Sequence, residues 1–291
     1  MARNVKLEVV EQEEIRYKSA AFGRETSSDH MNKNQQPALC LFVAGLIGLG
    51  VIALIVRDFA MVWQPVPEWV PARHAVAVGT GALMILLGLG LSFRATRAWA
   101  VRILLPYLVV WASLKIPAVV VAPKMEAVYL GLGELTLLLS GGWTLFANFA
   151  ELAPGSALEF LTGERGMKMA RILFALSIIP IGLSHLVYAD ITAEYVPHYL
   201  PYRLGWAYLT GAGQIASGLG VLFGVLPRIA AWAEAGQITL YTLLVWGGKI
   251  VAAPKTRLAW TAFFISWIFG AAAWVVAQNV PPKMSKQSAS S

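Results

Sequence analysis

Two oppositely charged side chains lie within long apolar segments of this 291-residue sequence, where a charge is costly to bury. Lys115 stands eight residues before Pro123, and Glu134 stands about eight residues into the next apolar segment. If the two segments are antiparallel helices, a rise of about 1.5 Å per residue places both charges about 12 Å from the same end. We expect an ion pair that fixes this helix hairpin. A role in moving a proton or a substrate is the alternative.

A second set of polar residues falls in the C-terminal half. Lys249 stands five residues before Pro254, and His185 stands near the end of an earlier apolar segment. The other members of this candidate site are Asp190, Glu194, His198 and Gln214. Ionisable side chains near or within apolar helices are functional candidates by default.

Asp190, Glu194 and His198 are spaced by four residues, so a helix would align them, although Pro197 interrupts it. Together with His185 they offer nitrogen and oxygen atoms that suit a metal ion. Residues of this kind also occur in loops simply because those loops meet water. Since no metal-site motif fixes the spacing here, no metal site is predicted.

Composition identifies the elements that must hold these residues. Of the 291 residues, 57% are hydrophobic and 13% are charged, whereas soluble domains carry about 25% charged residues. The 11 tryptophans and 9 tyrosines suit a chain whose rings lie at membrane interfaces. The net charge of +7 comes from scattered basic residues and not from the basic patch of a nucleic-acid-binding protein. The sequence therefore predicts an integral membrane protein that contacts the lipid bilayer and no nucleic acid.

Eight apolar stretches are long enough to cross a hydrocarbon core of about 30 Å. They predict helices at 38–56, 75–93, 99–121, 126–148, 169–189, 204–226, 229–252 and 257–278. A polar tail at 1–37, with a short helix at Glu11–Lys18, precedes them, and a flexible tail at 281–291 follows. Basic residues are more frequent on the side of these tails, so the positive-inside rule predicts that both termini are cytoplasmic.

The two halves of the chain repeat each other. When Val66 is aligned with Val196, the segment 66–93 matches 196–223 at 13 of 28 positions without a gap. The sequence thus predicts an all-α protein of eight transmembrane helices in two parallel four-helix-bundle repeats, at 38–149 and 169–280, joined by a linker at 150–168. The copies are parallel because each crosses the membrane an even number of times.

Both repeats contain a loop with two prolines, Pro67 and Pro71 in the first and Pro197 and Pro201 in the second. Prolines interrupt a helix where the chain reaches water or protein partners, so these loops are expected to cap or re-enter the bundle. Glycine-rich runs lie within the predicted helices. They indicate close helix packing and not a nucleotide-binding loop.

Short motifs in the second half carry a family resemblance. They are His185-Leu186-Val187-Tyr188, Val196-Pro197 followed by Pro201, Thr210-Gly211, and Gly218-Leu219-Gly220. With them, residues 170–278 resemble the DoxX-like family of four-helix membrane proteins, and residues 38–148 resemble it more weakly. Members of that family include the membrane subunit of a thiosulfate:quinone oxidoreductase, and others accompany soluble redox enzymes. The resemblance implies a multi-pass protein of a bacterial plasma membrane, but no catalytic residue carries over from it.

Three functions follow from these observations. The first is an accessory or quinone-contacting subunit of a redox-linked complex, whose partners are other membrane or soluble redox subunits. In it, His185, Lys249 and four aromatic side chains would hold the quinone, the aromatic residues being Trp206, Tyr208, Tyr241 and Trp246. The second is a non-catalytic scaffold or assembly subunit of a larger membrane complex, and the third is a small-solute transporter. No cofactor other than quinone is suggested, and whether the protein is an enzyme is left open.

Overall fold

Helices make up the regular structure of the chain. The computed structural model describes residues 36–281, and within them no β-strand occurs, so the all-α prediction is confirmed. The expectations for the tail at 1–37, including a helix at Glu11–Lys18, and for the tail at 281–291 lie almost wholly outside the described residues.

The first half contains four long helical stretches. Its helices are α1 (Gln36–Val56), α2 (Arg73–Ser92), α3 (Arg94–Ser113), α4 (Ile116–Val121) and α5 (Glu126–Phe149). The predicted helix at 99–121 is broken between α3 and α4, at Leu114 and Lys115. The break follows from Pro117, which has no N–H to bond the carbonyl four residues earlier.

The second half has a similar order of helices. They are α6 (Gly163–Val187), α7 (Ala189–Tyr195), α8 (Arg203–Phe223), α9 (Pro227–Tyr241), α10 (Gly248–Ala252) and α11 (Arg257–Gln278). A π-helical turn, Thr242–Gly247, joins α9 to α10. Helix α6 begins inside the segment 150–168 that was predicted as a linker, and Glu164 in its first turn interacts favourably with the helix dipole.

Within residues 36–281, six helical stretches are long and apolar enough to cross a membrane. They are Gln36–Val56, Arg73–Ser92, Arg94–Val121, Glu126–Phe149, Gly163–Val187 and Arg257–Gln278. These stretches confirm a multi-pass membrane protein. The other two predicted spans correspond to α8 and to α9 with α10, and both carry buried polar side chains, Gln214 on α8 and Glu234 on α9.

Successive long helices run in opposite directions, which gives the bundle two ends. One end, called here the loop face, carries the loops 57–72, 122–125, 188–202 and 253–256. The other, called the terminal face, carries the segment 150–162 and the start of α1 and end of α11. Contacts at each end fix this arrangement: Arg257 Nη2 lies 3.1 Å from Asp58 Oδ2 at the loop face, and Asn148 Nδ2 lies 3.2 Å from Asn279 Oδ1 at the terminal face.

Glycines bring pairs of helices into close contact, as the sequence predicted. A Cβ atom on Gly50 would lie 2.6 Å from the carbonyl oxygen of Gly81. In the second half, a Cβ atom on Gly182 would lie 2.7 Å from the carbonyl oxygen of Gly211. No side chain fits at these distances, so glycine is required where α1 crosses α2 and where α6 crosses α8.

The loop 57–72 folds back into the end of the first half. The Phe59 side chain is buried and packs edge-on against Trp111 of α3, with 5.8 Å between the ring centroids. Gln64 is also buried, and its Oε1 accepts a hydrogen bond of 2.8 Å from the Ala60 N–H. This part of the loop therefore caps the first helices at the loop face.

Prolines shape the corresponding turns of the two long loops. Val70 N donates to the carbonyl of Pro67, and Leu200 N donates to the carbonyl of Pro197. Each loop thus makes a turn between its two prolines, the second of which is Pro71 or Pro201.

Candidate functional site

One acidic side chain is buried within the second half of the bundle. Glu234 of α9 is 0% exposed, and Gln214 of α8 beside it is 1% exposed. Gln214 Nε2 donates a hydrogen bond of 3.3 Å to Glu234 Oε1. Glu234 Oε2 and Gln214 Oε1 have no hydrogen-bond partner among the described residues. Buried polar atoms are nearly always paired, so two unpaired oxygens in one place mark a candidate functional site.

Polar contacts continue from this pair toward the loop face. One turn beyond Glu234, Gln237 Nε2 donates to the carbonyl oxygen of Thr210 at 3.0 Å. The Thr210 hydroxyl in turn lies 3.1 Å from His185 Nδ1. Since Thr210 is on α8 and His185 is near the end of α6, these bonds join three helices.

Tyr241 completes this arrangement at the end of α9. Its ring centroid lies 5.7 Å from that of His185. Its hydroxyl lies beside Thr210 and Gln237 but forms no hydrogen bond with the described residues. The next residue begins the π-helical turn, a feature that recurs at functional sites.

These six side chains form two groups in contact, Glu234 with Gln214 and, one turn farther along α9, Gln237 and Tyr241 with Thr210 and His185; together they are called here the polar ladder. Its members are Glu234, Gln214, Gln237, Thr210, His185 and Tyr241. At about 1.5 Å per residue, Glu234 lies about 10 Å and Tyr241 about 21 Å along α9 from Pro227 at the terminal face. The ladder therefore leads from the interior of the bundle toward the loop face.

Lys249 contacts two aromatic rings near the loop face and is not part of the ladder. Its Nζ is 4.1 Å from the ring centroid of Tyr195 and 5.4 Å from that of Trp246, a cation–π arrangement. Trp206 and Tyr208 are 40% and 49% exposed. Of the four aromatic residues predicted to hold a quinone, Tyr241 alone belongs to the ladder.

The acidic residues of the following loop lie at the surface. Asp190 and Glu194 are exposed on α7, which ends at Tyr195 before Pro197. His198 lies beyond that helix, with its Nδ1 atom 3.2 Å from Arg203 Nη1. Within residues 36–281, no three His, Cys, Asp or Glu side chains are grouped in a way that could hold a metal ion.

Lys115 and Glu134 lie within electrostatic range of each other in the first half. Lys115 stands at the break between α3 and α4, where its Nζ donates to the carbonyl oxygen of Val62. The hydrogen bond of the ammonium group thus goes to the loop 57–72. This contact ties the loop to the broken helix, and a proton or substrate role for the pair stays a prediction.

The sequence interpretation named Gln214, His185 and Tyr241 as candidates for a site and Thr210 only as a motif residue, and it missed Glu234 and Gln237. A signal for the missing residues was present. Glu234, Gln237 and Tyr241 are spaced at i, i+3 and i+7, which places them on one face of a helix. A polar face on an otherwise apolar helix must turn toward a partner helix and not toward lipid.

The fold and its buried polar ladder define an all-helical, multi-pass membrane protein. Residues 166–247 match the family model for DoxX, and this segment contains every residue of the ladder. The match confirms the resemblance drawn from the motifs of the second half: residues 166–247 of this multi-pass membrane protein are DoxX-like. Neither a curated protein nor a solved structure matches the chain.

Proposed function

We propose that this protein is a quinone-contacting membrane subunit of a redox-linked complex. One observation supports the proposal above others: the polar ladder places unpaired hydrogen-bonding atoms inside a bundle whose core is mainly aliphatic and aromatic. Polar side chains within membrane segments are costly, and they mark functional sites by default.

The ladder offers the groups that a quinone and its reduced form need. A quinone is an apolar ring with carbonyl oxygens, which accept hydrogen bonds, and a quinol has hydroxyl groups in their place. The free hydroxyl of Tyr241 can donate to a carbonyl. The free oxygens of Glu234 and Gln214 can accept from a hydroxyl. The rings of His185 and Tyr241 provide apolar surface at the loop-face end.

A binding measurement on purified protein tests this proposal. A short-chain quinone analogue is titrated into protein in mild detergent, and quenching of tryptophan fluorescence is recorded. We expect Tyr241→Phe to weaken binding about tenfold, because one donated hydrogen bond is lost at a buried site. Tyr208→Phe is the matched control, since Tyr208 is half exposed and lies outside the ladder. Equal affinities for the wild type and Tyr241→Phe, or no bound quinone at all, would overturn the proposal.

We further propose eight membrane crossings, with both termini cytoplasmic, in a bacterial plasma membrane. Helix α8 has 21 residues, about 31 Å at the usual rise, which matches the thickness of the hydrocarbon core. The stretch from Pro227 to Ala252 likewise runs from the terminal face to the loop face. Its polar residue Glu234 points into the bundle, and Leu240 is exposed where lipid would lie.

Equivalent contacts support the proposed duplication into parallel repeats. Gly50 meets Gly81 in the first half as Gly182 meets Gly211 in the second. The alignment that places Val66 on Val196 also places Gly81 on Gly211, and it places Gly50 on Pro180, close to Gly182. In each half, the first two long helices thus cross where two glycines are in close contact.

A second pair of equivalent contacts lies at the loop face. The Tyr129 hydroxyl donates to the carbonyl of Pro123 at 2.9 Å, and Trp260 Nε1 donates to the carbonyl of Pro254 at 2.7 Å. Each proline is the centre of an Ala-Pro-Lys segment, and each aromatic donor follows its proline by the same interval. In each half the contact closes the turn that precedes the last long helix.

The two halves differ in chemistry where the ladder lies. In the alignment of Val66 with Val196, Gln214 corresponds to Met84 and Glu234 to Leu104. Met84 lines a small cavity of about 40 Å³ whose walls are mainly apolar. The first half thus has the scaffold without an acid at the position of Glu234, which supports a single quinone site in the second half.

A non-catalytic scaffold subunit is the second candidate function. Three aromatic side chains project from the loop face: Trp69 is 80%, Tyr199 73% and Tyr202 88% exposed. Such rings suit a membrane interface and also a docking surface for a partner subunit. Co-purification of a defined partner that is lost when Trp69 and Tyr199 are changed to Ser, with quinone binding absent, would favour this function.

A further inference from the structure

Glu234 has no cationic partner near it among residues 36–281. The helices packed against α9 are α8 and α11, and each carries one charged residue, Arg203 or Arg257, at its first position at the loop face. On α9 itself, Arg228 is exposed near the terminal face. Lys249, after the π-helical turn, is exposed and lies against Tyr195 and Trp246. The remaining titratable groups near Glu234 belong to the ladder, namely His185 and Tyr241.

The bundle is closed on the terminal side of Glu234. A Cβ atom on Gly220 of α8 would lie 2.9 Å from the Cβ of Ala230 on α9, so the two backbones are in contact there. On the side of α9 that faces α11, the rings of Trp232 and Trp274 pack edge-on at 5.0 Å between centroids, and Trp274 Nε1 donates to Thr239 Oγ1 at 3.0 Å. The residues that precede Glu234 on α9 are Ala230, Ala231, Trp232 and Ala233. This side offers tight apolar packing.

The loop-face side of Glu234 is polar instead. Gln237 Nε2 donates to the carbonyl oxygen of Thr210 at 3.0 Å, and the Thr210 hydroxyl lies 3.1 Å from His185 Nδ1. The hydroxyl of Tyr241 and the imidazole of His185 each can donate and accept a hydrogen bond, as a proton relay requires. The free oxygens of Glu234 and Gln214 can accept hydrogen bonds from water that would link the acid to these groups.

We propose that the carboxyl group of Glu234 exchanges its proton with water at the loop face, through the polar ladder, and not with the terminal face. In this step the O–H bond of the carboxylic acid breaks, and the proton passes along the ladder to water. The carboxylate that remains keeps the hydrogen bond from Gln214 Nε2. No oxidant or reductant takes part. The inference deepens the proposed function and rests on it, because oxidation of a quinol releases protons that need a route to water.

The experiment is infrared spectroscopy on quinone-free protein in detergent, so that failure of this inference can be told from failure of the quinone proposal. The C=O band of a protonated carboxyl shifts when the sample is moved from H₂O to D₂O. The band of Glu234 is assigned by its loss in Glu234→Gln, or by its displacement in Glu234→Asp if the first variant does not fold. If no band can be assigned, Glu234 carries no proton and the inference is overturned.

The rate of the deuterium shift then identifies the route. We expect exchange to be about tenfold slower in Tyr241→Phe, equivalent to a barrier higher by about 1.4 kcal/mol. Trp232→Phe, on the terminal side, is the matched control and should exchange at the wild-type rate. Slow exchange in Trp232→Phe, or an unchanged rate in Tyr241→Phe, would show that the proton takes another way and would overturn the inference.

Discussion

Asp58 and Arg257 are 199 positions apart in the chain, and they form an ion pair of 3.1 Å at the loop face. Asp58 follows the first helix, and Arg257 begins the last one. Arg73, at the start of α2, donates to the same carboxylate. One acidic side chain therefore ties the first loop to both halves of the bundle.

The stability of this tie should depend on pH. Burial raises the pKa of Asp58, but the Phe59 N–H, Arg257 and Arg73 outweigh burial and hold the pKa below its usual value of 3.8. A group whose folded pKa is lowered stabilises the fold above the unfolded pKa, and that stability is lost as the pH falls through the folded pKa. We expect the thermal midpoint in detergent to fall below about pH 4 in the wild type.

Asp58→Asn should already have a lower midpoint at pH 7 and a weaker acid dependence. Glu68→Gln, an exposed acid in the same loop, is the matched control and should behave as the wild type. An identical acid profile in Asp58→Asn and the wild type would contradict this account of the loop.

Close helix contact makes Gly211 sensitive to any side chain. In Gly211→Ala the new methyl group would lie 2.7 Å from the carbonyl oxygen of Gly182, so α6 and α8 must separate. We expect a loss of about 1–3 kcal/mol in the free energy of unfolding. Gly236→Ala is the control, since nothing lies within 4 Å of that position. The control should gain up to about 1 kcal/mol from helix propensity. Equal stability of the two variants would show that the contact is not tight.

The first half shows which residues can stand at the positions of Gln214 and Glu234, namely Met84 and Leu104. Gln214→Met alone leaves Glu234 without its hydrogen bond and should cost about 1–3 kcal/mol. The double variant Gln214→Met, Glu234→Leu reproduces Met84 and Leu104 and should be at least as stable as the wild type. Urea unfolding in mixed micelles measures both. Additive losses in the double variant would mean that the pair stabilises the fold, which would weaken its interpretation as a functional site.

Lys115 should hold the loop 57–72 in place through its bond to the carbonyl of Val62. In Lys115→Met this bond is lost, and we expect chymotrypsin to cut the loop near Trp63 and Trp69 several times faster. Lys124→Met, at an exposed position of the same face, is the control. Unchanged cleavage of Lys115→Met would indicate that burial of Phe59 alone holds the loop.

The apolar runs predicted the helices well, because length and hydrophobicity decide what crosses a bilayer. The last helix begins and ends at Arg257 and Gln278, as expected. Helix α6 begins six residues earlier than predicted, since its first turns carry Glu164, Arg165 and Lys168 and continue the helix beyond the apolar run. Hydropathy predicts which residues lie in lipid. It does not predict how far a helix continues into polar sequence.

The candidate site was harder to predict for a related reason. The run that contains Glu234 is apolar enough that a single acid does not stand out from it. The partner of Glu234, Gln214, is 20 positions away on another helix. Only the packing of α8 against α9 shows that the two side chains meet. The similar depth of Lys115 and Glu134 could be predicted from sequence alone, because adjacent antiparallel helices fix it; the structure places the two within electrostatic range.

The contact of Gly220 with Ala230 bears on how a membrane stores energy. A membrane that stores energy as a proton gradient is discharged by any polar passage that opens on both sides. In the route we propose, Glu234 is reached from the loop face, and the close contact of α8 with α9 separates it from the terminal face. The protein can keep an acid in the membrane without draining the energy stored across it.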